Sequence, residues 1–157
     1  MRYFIDTEFI ESGAHNPIDL ISIGIVKESG ETLYCISNEF KFKDANDWVI
    51  ANVFPHIGNI PRNTLNEIKT KIMNFIQDSK PEFWGYYADY DWVVFCQIFG
   101  SMINLPKGWP MFCRDIKQLC KELGDPKLPE QESKEHNSLS DAIWNKLAYE
   151  FLITKGA

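Results

Sequence analysis

The sequence predicts a mixed α/β fold, and three observations carry that prediction. Within residues 2–40, three short runs place apolar and β-branched residues in the pattern of strands. Later stretches repeat apolar residues at three- and four-residue spacing, as helices do, and they alternate with further strand-like runs. Acidic residues collect where these elements begin or end.

The first strand is Arg2 to Ile10, an aromatic and β-branched run interrupted by Asp6 and Glu8. Side chains alternate along a strand, so both carboxylates point to one side. Like charges that close on a partly buried strand repel and lose hydration, an arrangement that calls for cations. The turn formers from Glu11 to Pro17 lead to a second strand, Ile18 to Lys27, with Ile21, Ile23 and Ile25 in period two. A tight connection at residues 28–31 leads into a third strand, Thr32 to Phe40, which completes an antiparallel meander. His15 reads as a loop residue.

Helical pattern begins at Asp44, a capping residue, with Trp48, Val49, Val53 and Phe54 on one face before Pro55. His56 to Pro61 is a loop. Asn63 or Thr64 then caps a longer helix carrying Leu65, Ile68, Ile72, Phe75 and Ile76 as its core stripe. Glu82 to Ala88 is a buried aromatic strand that turns through Asp89-Tyr90-Asp91 into a helix from Trp92 to Gly100. Either aspartate can serve a ligand at such a junction, and capping explains one of them. Trp84, Tyr86 and Tyr87 read as core ahead of a base-stacking platform.

Met111 to Cys113 is a short strand feeding a helix from Asp115 to Leu123. Asp125 to Glu135, with its prolines and acids, is expected to be exposed and mobile. The last helix runs from Ser138 to Leu152 with Leu139, Ile143, Leu147 and Phe151 as its buried stripe. His136 precedes it by two residues and Asp141 lies in its first turns.

Composition sets bounds on function. The 157 residues, 45% hydrophobic and 14% aromatic, suffice for one domain over 1–157. A net charge of −6 excludes a broad basic face that coats nucleic acid, although a local site with bound metal remains open. The four cysteines form no CxxC pair and are read as reduced core thiols. Neither a membrane span nor a signal peptide is expected, which places the protein in the cytoplasm.

Taken together, Asp6-Thr7-Glu8, Asp91 and the run His136 to Asp141 resemble the motifs of the DEDDh group of 3′-to-5′ exonucleases. More closely, Asp6 to Glu11, Ile18 to Gly24, and Tyr90-Asp91-Trp92-Val93 with Cys96-Gln97 resemble the small bacterial exoribonuclease AS group, whose mycobacterial member acts on polyadenylate. The likeness runs from Met1 to about Ile153 and selects Asp91 over Asp89.

The resemblance implies a ribonuclease-H-like fold with a mixed five-stranded sheet, three antiparallel strands then two parallel ones, and helices on both faces. It also implies release of nucleoside 5′-monophosphates from the 3′ end of single-stranded RNA, with DNA or both nucleic acids as the alternative. Two divalent ions, Mg²⁺ or Mn²⁺, suit carboxylate ligands and phosphodiester hydrolysis. By resemblance, Asp6 bridges the two ions, Glu8 and Asp141 complete one site, and Asp91 holds the other. His136 takes the proton, a role for imidazole with its ordinary pKa of about 6.5.

Substrate contacts are expected around Thr7 and Phe9, although Phe9 equally fits the core. Arg114 is read as a phosphate or partner-subunit contact, or else as half of a salt bridge. A homodimer is implied by the relatives. Two other classes are weighed: a non-catalytic binding module, which would lack one of the acids, and an interaction domain whose acids merely solvate its surface.

Overall fold

The computed structural model describes residues 1–132 and 136–156. Strand β1 (Arg2–Ile10) lies inside a six-stranded sheet whose other members are β2 (Asp19–Lys27), β3 (Thr32–Ser37), β4 (Arg62–Asn63), β5 (Glu82–Gly85) and β6 (Arg114–Asp115), ordered β4-β3-β2-β1-β5-β6. The meander β1–β2–β3 is antiparallel, whereas β5 runs parallel to β1 and β6 parallel to β5. These are the five expected strands. The sixth, β4, pairs in parallel with the end of β3 through only two residues, too few to show a period.

Period two on β1 divides its side chains between two cores. Tyr3 and Ile5 pack with Ile68 and Ile72 of α2 (Leu65–Phe75) and with Trp92 and Phe95 of α3 (Asp89–Ile98). Phe83 anchors that layer, with ring centroids 5.1 to 5.9 Å from Tyr3, Trp92, Phe95 and Trp109. On the other face, Phe4 and Val26 meet Ile116 and Cys120 of α4 (Ile116–Glu122) and Ala142, Ala148, Tyr149 and Leu152 of α5 (Ser138–Thr154). A third cluster joins Ile10, Ile21 and Ile36 to Val49 of the short helix α1 (Asp47–Asn52). All four cysteines are free thiols, three of them buried.

Several expectations are corrected. Helix α1 is capped by Asn46, whose side chain accepts from the Val49 N–H, and Asp44 instead ends a 3₁₀ turn. Trp48, expected on the buried face, is 54% exposed. The strand near residue 113 falls at Arg114–Asp115, where Asp115 also caps α4.

The largest correction concerns α5. Ile143 and Leu147 are exposed, and the buried face carries Ser138, Ala142, Asn145 and Ala148 with Tyr149 and Leu152. Small side chains let the helix lie close on β1 and β2, and hydrophobicity alone selects the wrong face. The segment expected to be mobile is docked over residues 126–131: Leu128 packs on the second core and the Trp144 indole N–H donates to the Pro129 carbonyl at 3.0 Å. Residues 133–135, the end of that expected mobile stretch, lie outside the described residues. Among the described residues, no helix is long and apolar enough to cross a membrane.

Candidate active site

Asp6 and Glu8 follow Phe4 on the α5 side of β1, and three contacts bring α5 to them. Gly24, paired across the sheet with Asp6, leaves room for the start of α5; a Cβ there would lie 2.5 Å from Leu139 Cα. The hydroxyls of Ser22 and Ser138 hydrogen-bond at 2.9 Å in a buried position. Asn145 Nδ2 donates to the Ile5 carbonyl at 2.9 Å, next to Asp6 in the chain. Asp141, in the first turn of α5, thereby joins Asp6 and Glu8, and the three carboxylates offer oxygens that all lie within 4.8 Å of one another.

Asp91 reaches the group from the other side of the strand. Pairing between β1 and β5 stops at Phe4. Further along, the Thr7 N–H donates to Asp91 Oδ1 at 2.8 Å, and the Thr7 hydroxyl donates to the same oxygen at 2.6 Å. Asp91 is 7% exposed, whereas Asp89 faces solvent. Of the two, Asp91 is the one set against β1.

Electrostatics make this cluster a candidate for a cation. Burial pushes the Asp6 carboxyl well above the usual range, and the charges of Asp91, Asp141 and Glu8 push the same way. Glu8 is raised to about 8 by burial, by Asp141 and Asp91, and by a hydrogen bond with Asp141. Asp91 is raised to about 6 by burial, against the two Thr7 hydrogen bonds that favour its ionised form. Partly buried oxygen donors that repel one another suit a hard divalent ion, which offsets both the repulsion and the lost hydration.

His136 sits on the rim of the same cavity, about 590 Å³ in volume, with Asp6 and Asp141 on its wall beside Tyr86, Trp144 and Gln131. Its backbone is left-handed at φ 63°, a conformation sparsely populated outside glycine. The next residue pins it: Asn137 Oδ1 accepts from the Ser140 N–H at 3.1 Å, and Asn137 Nδ2 donates to the His56 carbonyl at 2.8 Å. The imidazole meets the Trp48 ring edge-on with centroids 4.9 Å apart. Backbone strain of this kind, on the order of 1 to 3 kcal/mol, concentrates at functional sites.

The remaining expected contacts separate. Phe9 lines a neighbouring groove of about 330 Å³ with Glu8 and Trp48, and it stacks on Tyr90 at 5.6 Å. The Thr7 side chain is committed to Asp91. Arg114 does not join the acids. It lies on the edge strand β6, 3.7 Å from Glu82 and over the Trp84 ring, so the salt-bridge reading holds. Trp84 is buried as expected, Tyr86 is half-buried against the cavity, and Tyr87 is 64% exposed.

Sequence reasoning missed Trp48, Asn137 and Gln131 as parts of the site. Gln131 Nε2 donates to Asp141 Oδ1 at 2.6 Å. Only Asn137 carried a legible signal, as a capping residue directly before a helical run.

Comparison with known proteins bears on this geometry. The description "3'-5' exoribonuclease Rv2179c-like domain" matches residues 1–153. Two relatives from Mycobacterium tuberculosis strains, the 3'-5' exoribonucleases MT2234.1 and Rv2179c, are each 38% identical over 149 residues, covering 90% of this chain and 87% of theirs. Among solved structures, Escherichia coli exonuclease I with single-stranded DNA and zinc superposes with a TM-score of 0.67 at 14% identity, over 99% of this chain. This chain spans 40% of that exonuclease. A chain of the yeast NOT1–CAF1 co-crystal gives a TM-score of 0.51 at 14% identity, covering 97% of this chain and 80% of its own length. At such identities the likeness is one of fold, and the fold is ribonuclease-H-like, as in exonuclease I.

Proposed function

The chain belongs to the family of the Rv2179c-like 3'-5' exoribonuclease domain, and from that premise we propose that it hydrolyses single-stranded RNA from the 3′ end, releasing nucleoside 5′-monophosphates. The observation that carries this reading is the convergence of Asp6, Glu8 and Asp141 within 4.8 Å, at a cavity that His136 also lines. Asp6, Glu8 and Asp141, together with Asp91, would hold two hard divalent ions, Mg²⁺ or Mn²⁺, for which a carboxylate donor set is suited. Such ions supply charge neutralisation at the phosphate, an acidified water and a stabilised leaving oxygen.

The protein's own groups do the rest. Thr7 fixes the orientation of Asp91 through two hydrogen bonds to one oxygen. His136 accepts the proton of the attacking water, and Trp48 at its edge restricts the imidazole's orientation. The groove between Phe9 and Trp48 takes the terminal nucleoside, where aromatic contact with an unpaired base contributes about 1 to 3 kcal/mol. Water's hydroxyl bonds to phosphorus, the 3′-oxygen of the preceding nucleotide leaves, and a proton returns to it from solvent.

Homodimerisation and a preference for polyadenylate extend this reading on family likeness. Digestion of 3′-labelled and 5′-labelled RNA and DNA oligomers, with and without Mg²⁺ or Mn²⁺, tests it. Release of labelled mononucleotide from 3′-labelled RNA only with cation is the expected result. Shortening from the 5′ end, or hydrolysis unaffected by chelator, would overturn it. Faster digestion of DNA would favour the DNA-directed alternative, which the likeness to exonuclease I with single-stranded DNA supports.

A further inference from the structure

The docked segment before α5 brings a neutral amide to one of the acids. Gln131 Nε2 donates to Asp141 Oδ1 at 2.6 Å, and both residues line the cavity that contains Asp6. The stretch leading up to Gln131 is held by three contacts. The Trp144 indole N–H donates to the Pro129 carbonyl at 3.0 Å, Cys120 lies 3.5 Å from the Pro126 carbonyl, and Leu128 packs into the second core. Trp144 itself meets Tyr86 edge-on at 5.0 Å on the cavity wall.

We propose that Gln131 is a positioning residue for Asp141: its amide holds Oδ1 so that the carboxylate presents its remaining lone pairs to a divalent cation. The proposal rests on the reading of Asp141 as a cation ligand. A carboxylate has about four acceptor sites, and the Gln131 N–H occupies one of those on Oδ1. A neutral donor also suits the position better than the alternatives. Lysine or arginine there would cancel the charge that attracts the cation, and a carboxylate would add repulsion to a cluster of acids. Hydrogen-bonded partners of metal ligands commonly change metal affinity or activity by about 10- to 100-fold when removed.

Trp144 acts one step further out, by fixing the backbone of Pro129 and thus the reach of Gln131. This assigns a role to a stretch whose prolines and acids suggested only an exposed connection.

The test is isothermal titration of Mn²⁺ into metal-stripped protein, paired with kcat and KM on a short 5′-labelled RNA. Four proteins are compared: the wild type, Gln131→Leu, Trp144→Phe and Asp141→Asn. Gln131→Leu removes the donor at similar volume and is expected to weaken Mn²⁺ binding about 10-fold, with kcat lowered and KM for RNA little changed. Trp144→Phe keeps an aromatic ring and is expected to shift both in the same direction by less. Unaltered or tighter Mn²⁺ binding by Gln131→Leu overturns the proposal, as does a loss in Trp144→Phe that exceeds that in Gln131→Leu. Wild type that binds no Mn²⁺, or Asp141→Asn that binds as wild type does, overturns the underlying assignment of Asp141 instead. Thermal unfolding of each metal-free variant separates a lost cation from a lost fold.

Discussion

The two halves of β1 follow opposite rules. Near its start, at Tyr3 and Phe4, the strand is paired on both sides and buried between aromatic cores, with Tyr3 against Phe83 and Phe4 against Tyr149. From Asp6 to Phe9 it keeps its β2 partner, leaves β5, and fills the α5 face with carboxylates whose pKa values rise together. A register shift between Glu8 and Phe9 marks that second half. One half stabilises the fold, and the other is held in an electrostatically costly state by it. Function of this kind is mounted where the surrounding structure over-determines the geometry.

The sharpest break between the halves comes from Asp6→Asn. It is expected to reduce metal-dependent hydrolysis by more than about 10³-fold while the metal-free protein unfolds at the same or a higher temperature, because a repelling charge is removed. Phe4→Ala should do the reverse. It costs about 3 to 5 kcal/mol of stability by chemical denaturation, yet the folded fraction keeps its turnover. A Phe4→Ala protein of normal stability would refute the division. His136→Ala is a smaller perturbation of the functional half, lowering kcat on the order of 10²-fold while Mn²⁺ binding, read by calorimetry, persists.

The same contrast has a pH signature. Between the ordinary value of 4.5 and about 8, folded Glu8 keeps a proton that the unfolded chain releases, and Asp91 acts likewise between 3.8 and about 6. Stability of the metal-free protein from these groups is therefore fully present below pH 4 and is lost as pH rises towards 8. Added Mg²⁺ should raise the unfolding temperature more at pH 8 than at pH 5.5, since binding displaces those protons. Scanning calorimetry across that range checks the sign, and a metal-free protein that gains stability towards pH 8 would contradict it. The smallest expected effect is that of Asp89→Ala, whose solvent-facing side chain should matter little beside Asp91→Ala in the hydrolysis assay.

These halves differ in how far the sequence reveals them. The antiparallel meander and the placing of Asp6 and Glu8 on one face follow from local period and position, whereas the grouping of Asp91 with Asp141 follows from the resemblance of the three motifs to the DEDDh exonucleases. The face of α5 follows from neither: Ala142, Asn145 and Ala148 are buried because β1 and β2 lie close, a requirement set across the sheet at Gly24. Ile143 and Leu147 satisfy the hydrophobic pattern and still point outward. Trp48 reaches His136 from α1, far away in sequence, and Gln131 reaches Asp141 from a proline-rich connection that shows no helical or strand period. Arg114 is a case where two readings stand side by side in the sequence, and the structure shows it 3.7 Å from Glu82 on the edge strand.

The most direct test of the central claim uses a 5′-labelled RNA oligomer incubated with metal-stripped wild type and Asp6→Asn, before and after addition of Mg²⁺. The account predicts a ladder that shortens one nucleotide at a time from the 3′ end only in wild type with Mg²⁺. The same ladder without cation, or from Asp6→Asn with it, would contradict the assignment of the carboxylate half of β1 as a metal-dependent hydrolytic site.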